Sequence, residues 1–207
     1  MQKIDLQTWP RRELYEFFSA SSNPFYSVTF SVDVTNLCRY TKANGLSFYY
    51  SLIYLCTQAV NSVEAMRYAV HEGEIVLLDR REPSFTDLNP GSEFFHITSV
   101  PCEGTMADFC RAALSASRSQ TAFLDPSKES PDLIYFSSVP WFDMTAVTSE
   151  RDFDRDDTVP RITWGRYTED WRGHRNLHIA IELNHRFADG LHVGKFYEDL
   201  THRIETL

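Results

Sequence analysis

The chain has 207 residues, 43% of them apolar and 24% charged, with a formal net charge of −9 and a pI near 5.2. That length can bury a sizeable core, and residues 1–207 read as a single domain. The acidic balance sets nucleic acid aside as a partner, because phosphate binding needs a basic face. The N-terminus has no signal-type apolar core, and the most apolar stretch, Ser51 to Val60, is too short and too polar to span a bilayer. A cytoplasmic protein without a membrane partner is therefore expected. Cys38, Cys56, Cys102 and Cys110 form no CxxC pair and no Cys/His zinc spacing, so free thiols in a reducing compartment and no metal are expected.

In chain order, Thr8 is placed to cap a first helix starting near Pro10 and carrying Arg11, Leu14, Phe17 and Phe18. Tyr26 to Val34 alternates as a strand. Thr35 caps a short helix ending near Gly45. Phe48 to Val63 reads as a buried helix with Leu52, Ile53, Cys56, Ala59, Val60 and Val63 on one face. Met66 to Val70 and Ile75 to Leu78 flank a turn at Glu72 and Gly73. Strands are expected at Ser84 to Leu88, Glu93 to Thr98, Leu133 to Ser137 and Phe142 to Val147, with a helix from Thr105 to Ala116. A second hairpin joins Arg161 to Thr168 and Leu177 to Leu183, and a helix closes the chain from Leu191 to Ile204. Strands and helices mix without βαβ regularity. This predicts an α/β two-layer sandwich, a mixed sheet with helices packed on one face.

The most informative stretch is Asn184-His185-Arg186-Phe187-Ala188-Asp189-Gly190, between an alternating strand and an amphipathic helix. A histidine where a strand opens into a loop is well placed to face a cleft, and an ordinary pKa of about 6.5 makes it a usable base at neutral pH. Asp189 is suited to orient the loop by pairing with an arginine, without touching the histidine. Read by residue type alone, a histidine after a strand is more often a surface or hydrogen-bonded core residue, and Asp-Gly is a common turn.

The stretch resembles the HxxxDG signature of CoA-dependent acyltransferases, and among them the chloramphenicol acetyltransferase family, with the continuation Asp189-Gly190-Leu191-His192-Val193. Seven further pieces resemble that family in the same order: Trp9 to Glu13, Ser31 to Thr35, Phe48-Tyr49, Met66 to Asp79, Phe85-Thr86, Pro140-Trp141 and Pro160 to Tyr167. The resemblance implies a homotrimer that acetylates a hydroxyl of chloramphenicol or a similar small molecule from acetyl-CoA, an activity tied to antibiotic resistance. It makes His185 the general base and pairs Asp189 with Arg11 beside it. Tyr26, Phe85 and Phe94 fall at acceptor positions, and Arg166 and Tyr167 on the CoA side.

The family's oxyanion serine falls on Ala146 here. Thr148, expected on the same strand face, and Thr163 are the candidate replacement donors. Asn184 stands where a second histidine is usual, and Tyr50 where proline is usual. Asn184 to Gly190 also resembles the Asp-His-Arg-x-x-Asp-Gly of dihydrolipoyl acyltransferases, and the loss at position 146 suits a non-catalytic trimeric binding module. The charged run Ser149 to Asp157 lacks the glycine and closing glutamate of a calcium loop and reads as a solvated loop. His174 and His178 straddle a turn and make a poor zinc pair.

Overall fold

The computed structural model describes residues 1–151 and 156–207. In chain order these form β1 (Gln2–Lys3), α1 (Arg12–Ser19), β2 (Phe25–Asp33), α2 (Thr35–Asn44), α3 (Phe48–Ser62), a 3₁₀ turn (Glu64–Arg67), β3 (Tyr68–His71) and β4 (Glu74–Leu77). Then come β5 (Glu82–Leu88), β6 (Phe95–Ser99), α4 (Met106–Ser119), a second 3₁₀ turn (Pro126–Lys128), β7 (Leu133–Ser138), β8 (Arg161–Trp164), β9 (Thr168–Glu169), β10 (Arg175–Asn184) and α5 (Gly190–Glu205). The main sheet has the order β2-β10-β8-β7-β5-β6, with β9 pairing on β10, and β1, β4 and β3 form a small second sheet.

Strand alternation builds the core. Leu177, Ile179, Ile181 and Leu183 of β10 share one buried cluster with Leu52, Ile53, Cys56, Ala59 and Val60 of α3 and Phe196, Leu200 and Ile204 of α5. Burying each such side chain contributes about 1.5–3 kcal/mol. This is the expected architecture, a mixed sheet with helices on one face. All four cysteines are free and buried. No helix among the described residues is long and apolar enough to cross a membrane.

Pairing direction decides what meets at each sheet edge. β5, β7 and β8 run parallel, so Leu88, Ser138 and Trp164 end at one edge. β10 runs antiparallel to β8, with Ile179 opposite Trp164 and Glu182 opposite Arg161. The chain therefore leaves β10 at the other edge, where Asn184 opens into the histidine loop.

Two expectations about local structure are corrected. Helix α1 begins at Arg12, not near Pro10, because Thr8 belongs to an earlier turn: its hydroxyl donates to the Asp5 carbonyl and its N–H to the same oxygen. The 142–147 stretch forms no strand, although Phe142, Met144 and Ala146 alternate. It crosses the end of β8 once, where Arg166 N–H donates to the Phe142 carbonyl at 2.8 Å. The crossing is close enough that a Cβ on Gly165 would lie 2.8 Å from Met144 N, so this position needs glycine.

The charged run from 149 to 157 is also more than a solvated loop at its ends, while residues 152–155 lie outside the described residues. Arg151, its side chain only 2% exposed, donates to Glu182 of β10 and to Asp157, and its guanidinium lies 4.0 Å from the Phe25 ring centre. Asp157 also takes Arg161. His174 and His178 are held apart, each on its own carboxylate, Asp33 and Asp143.

Arg81 ties distant segments together. Its side chain is fully buried. It donates to five backbone carbonyls, those of Met66, Tyr68, Pro131, Leu133 and Thr158. Asn61 brackets its backbone, accepting from Arg81 N–H and donating to the Arg81 carbonyl.

Candidate active site

His185 sits one residue past β10, and its N–H continues the ladder to the Pro24 carbonyl at 2.7 Å. Phe18 of α1 stacks on the imidazole with ring centres 4.0 Å apart at 12°, and Tyr26 of β2 packs against it at 4.5 Å. Burial, with the Asp189 charge adding to it, pushes the Tyr26 hydroxyl's pKa upward, so it stays protonated. Its buried oxygen has no hydrogen-bond partner among the described residues, and neither has His185 Nδ1.

Arg11 clamps this loop from behind. Its guanidinium donates to the Arg186 carbonyl at 2.9 Å, the His185 carbonyl at 3.1 Å and Asp189 Oδ2 at 2.9 Å. Asp189 also caps α5, accepting from Leu191 N–H while His192 Nδ1 accepts from Asp189 N–H. Burial raises the Asp189 pKa, but the Arg11 hydrogen bond and the neighbouring charges outweigh it and hold the carboxyl below its usual range. His192 is held below its ordinary value, first by burial and then by Arg11 and Lys195.

Asp189→Asn is expected to cost about 1–2 kcal/mol of stability, since it weakens a cap and a partly buried ion pair at a helix N-terminus. The sign with pH follows from the lowered carboxyl. Its contribution is present above pH 3.8, the ordinary value, and is lost as the pH falls through the folded-state value. Denaturation midpoints followed down to about pH 3 check this. The acid-side decline should be shallower in the variant, and an unchanged slope would remove Asp189 from the account.

A second feature lies at the opposite edge of the sheet. A cleft of about 1090 Å³ opens beyond the ends of β5, β7 and β8, lined by Thr86, Ser137, Trp141, Trp164, Arg166 and Tyr167 and by the N-terminal turn of α3. Crevices outside the carboxyl ends of parallel strands are general ligand sites. Six residues of β10 separate the level of Trp164 from His185, about 20 Å at 3.3 Å per residue. Within one chain the histidine does not reach the cleft.

The expected site residues thus divide. His185, Asp189, Arg11 and Tyr26 come together, and Arg166 and Tyr167 share the cleft. Phe85 lines neither: it points to the helix side of β5 and is fully buried between Tyr49 and Tyr50. Phe94 stands 77% exposed beside a separate groove with Phe95 and Phe123. Thr148 is exposed on the loop, so the shared strand face with Ala146 does not exist. Thr163 is held in β8 opposite Ala180, one residue before the cleft residue Trp164. Phe18, the closest ring to His185, carries no motif and shows in the sequence only as one of several apolar positions on α1.

Comparison with known proteins gives the family. The family model described as chloramphenicol acetyltransferase matches residues 1–201. Chloramphenicol acetyltransferase 3 of Escherichia coli is 28% identical over 202 residues, covering 96% of this chain and 94% of that protein. A chloramphenicol acetyltransferase of Streptomyces acrimycini is 29% identical over 209 residues, covering 99% and 92%. A solved chloramphenicol acetyltransferase superposes with a TM-score of 0.86 at 24% identity, covering 98% of this chain and 99% of that one. A probable dihydrolipoamide acetyltransferase from Listeria monocytogenes superposes at 0.68 with 16% identity, a likeness of fold alone, covering 100% and 95%. With its histidine loop, arginine clamp and cleft, the chain belongs to the chloramphenicol acetyltransferase family of acyltransferases.

Proposed function

We propose that this chain transfers an acetyl group from acetyl-CoA to a hydroxyl of chloramphenicol or a similar small molecule, with His185 as general base. The observation that carries the reading is the family match together with a histidine fixed by stacking and by an arginine-clamped loop. His185 takes the hydroxyl proton, and the freed oxygen attacks the thioester carbon. The tetrahedral oxyanion collapses, and the departing thiolate recovers the proton from His185. No acyl-enzyme forms, so the buried cysteines have no part in the reaction. Thr163, held in a strand at the edge of the cleft, is the stronger of the two candidate oxyanion donors, and Thr148 on its exposed loop the weaker.

The cleft is the acetyl-CoA site in this reading. Arg166 at the rim and the α3 N-terminus suit phosphate groups, and Phe48, Trp141, Trp164 and Tyr167 supply apolar walls for the arm that carries the thioester. The protein is a homotrimer in which each cleft receives the His185 of a neighbouring copy. The separation of the two features along β10 supports this sharing. The binding-module reading is set aside because the family is one of enzymes, and the dihydrolipoyl reading because its likeness is to fold alone.

Mixing two inactive variants tests the shared site. His185→Ala lacks the base, and Arg166→Glu/Tyr167→Ala lacks the cleft. After unfolding and refolding together in equal amounts, a closed ring is expected to regain roughly a quarter of the wild-type sites by random assembly. No recovery, with ring formation verified by light scattering, would mean that base and cleft act within one chain.

A further inference from the structure

Asp87, on β5, lines the cleft beside Thr86 and has no role in the transfer described above. Tyr50 donates its hydroxyl to Asp87 Oδ2 at 2.8 Å. Among the described residues nothing donates to Oδ1 and no cation pairs with the carboxylate. Tyr50 is only 6% exposed and is wedged between Tyr49 and Phe85, each ring centre 5.5 Å away. Burial, reinforced by Asp87, pushes its pKa upward, so the phenol remains a donor and keeps the carboxylate in one orientation.

A carboxylate with one oxygen satisfied and the other open is costly to cover with an apolar ligand. It favours an occupant that brings an N–H or O–H to that oxygen, because hydrogen bonds to a charged acceptor are about twice as strong as neutral ones. Charge along the cleft is graded. Arg166 stands at the exposed rim, and Glu169, which also lines the cleft, is already paired with Arg175 at 3.0 Å. The remaining groups are a cation outside and an anion inside. That order matches a ligand with phosphates at one end and amide and hydroxyl donors along its arm.

We propose that Asp87 Oδ1, oriented by Tyr50, accepts a hydrogen bond from an amide N–H or hydroxyl of the pantetheine arm of the acyl donor. This makes Asp87 a binding residue that sets which end of the ligand enters first, since the same charge repels the phosphates. The inference rests on the reading that the cleft is the acetyl-CoA site.

Calorimetric titration with CoA and with 3′,5′-ADP, which has phosphates but no arm, tests it without knowledge of the acceptor. The variants are Tyr50→Phe/Asp87→Val, Asp87→Asn and Arg166→Ser. Replacing both partners of the pair by apolar groups leaves no buried hydroxyl unsatisfied, and melting curves check folding. The double variant is expected to weaken CoA about tenfold and leave 3′,5′-ADP within about twofold, the loss of one hydrogen bond to a charged group. Asp87→Asn keeps an acceptor for Tyr50 and should weaken CoA about threefold through loss of the charge. Arg166→Ser should weaken both ligands. If Arg166→Ser weakens CoA while both Asp87 variants bind it as wild type, or if those variants weaken both ligands equally, the Asp87 inference is wrong and the cleft reading stands. If no variant changes CoA binding, the cleft is not the cosubstrate site and both fall.

Discussion

His185→Ala is expected to lower kcat by about 10²–10⁴-fold, the usual contribution of a positioned general base. The fold should survive. The polar contacts at this position run through its backbone, to the Pro24 carbonyl and from Arg11, and alanine keeps them. The lost ring leaves a gap beside Phe18 and Tyr26, so a modest fall in melting temperature is also expected. Thiol release from acetyl-CoA with chloramphenicol present is the direct measurement. Near-wild-type release from a well-folded His185→Ala protein would assign the base elsewhere. A rate lost for both acetyl-CoA turnover and transfer, with CoA affinity retained, would fix His185 in the chemical step.

Arg81→Met should be the most destabilising single substitution of those considered. Methionine fills much of the volume but leaves five carbonyls, from three regions of the chain, without their donors. Leaving a buried acceptor unsatisfied typically costs about 1–3 kcal/mol, and the bonds to Met66, Leu133 and Thr158 are fully buried. Arg81→Lys should rescue little, because three ammonium donors on a flexible stem cannot reproduce a planar fork of five. Urea denaturation measures both. An Arg81→Met midpoint equal to wild type would show that the carbonyls find other partners.

Much of the site was readable from sequence where the signal is local. The alternation from Leu177 to Leu183 gives β10, and the spacing from His185 to Gly190 gives loop and helix start, because these depend on residues within one or two turns. The capping role of Asp189 shows only in the structure. Long-range pairings were not readable. Arg81 and Arg151 are ordinary surface residues by type, and only the tertiary fold brings carbonyls or Glu182 to them. The 142–147 stretch shows why period alone misleads: Phe142, Met144 and Ala146 alternate, but Gly165 admits a single tight crossing and no ladder. Phe85 was misjudged because β5 turns its odd positions to the helices, a choice fixed by neighbouring strands. Periodicity does not give the division of base from cleft either, for a related reason. The division depends on which strands run parallel, and hydrophobic period carries no information on direction.

That division has a consequence for how activity appears in a cell. If the site is shared between copies as proposed, a newly released chain carries half of two different reaction centres and completes neither by itself. Turnover then begins with association, so at low expression activity should lag behind synthesis and rise more steeply than the amount of protein. On that reading, a cell that dilutes the protein by growth would lose acetyl transfer before it loses the polypeptide.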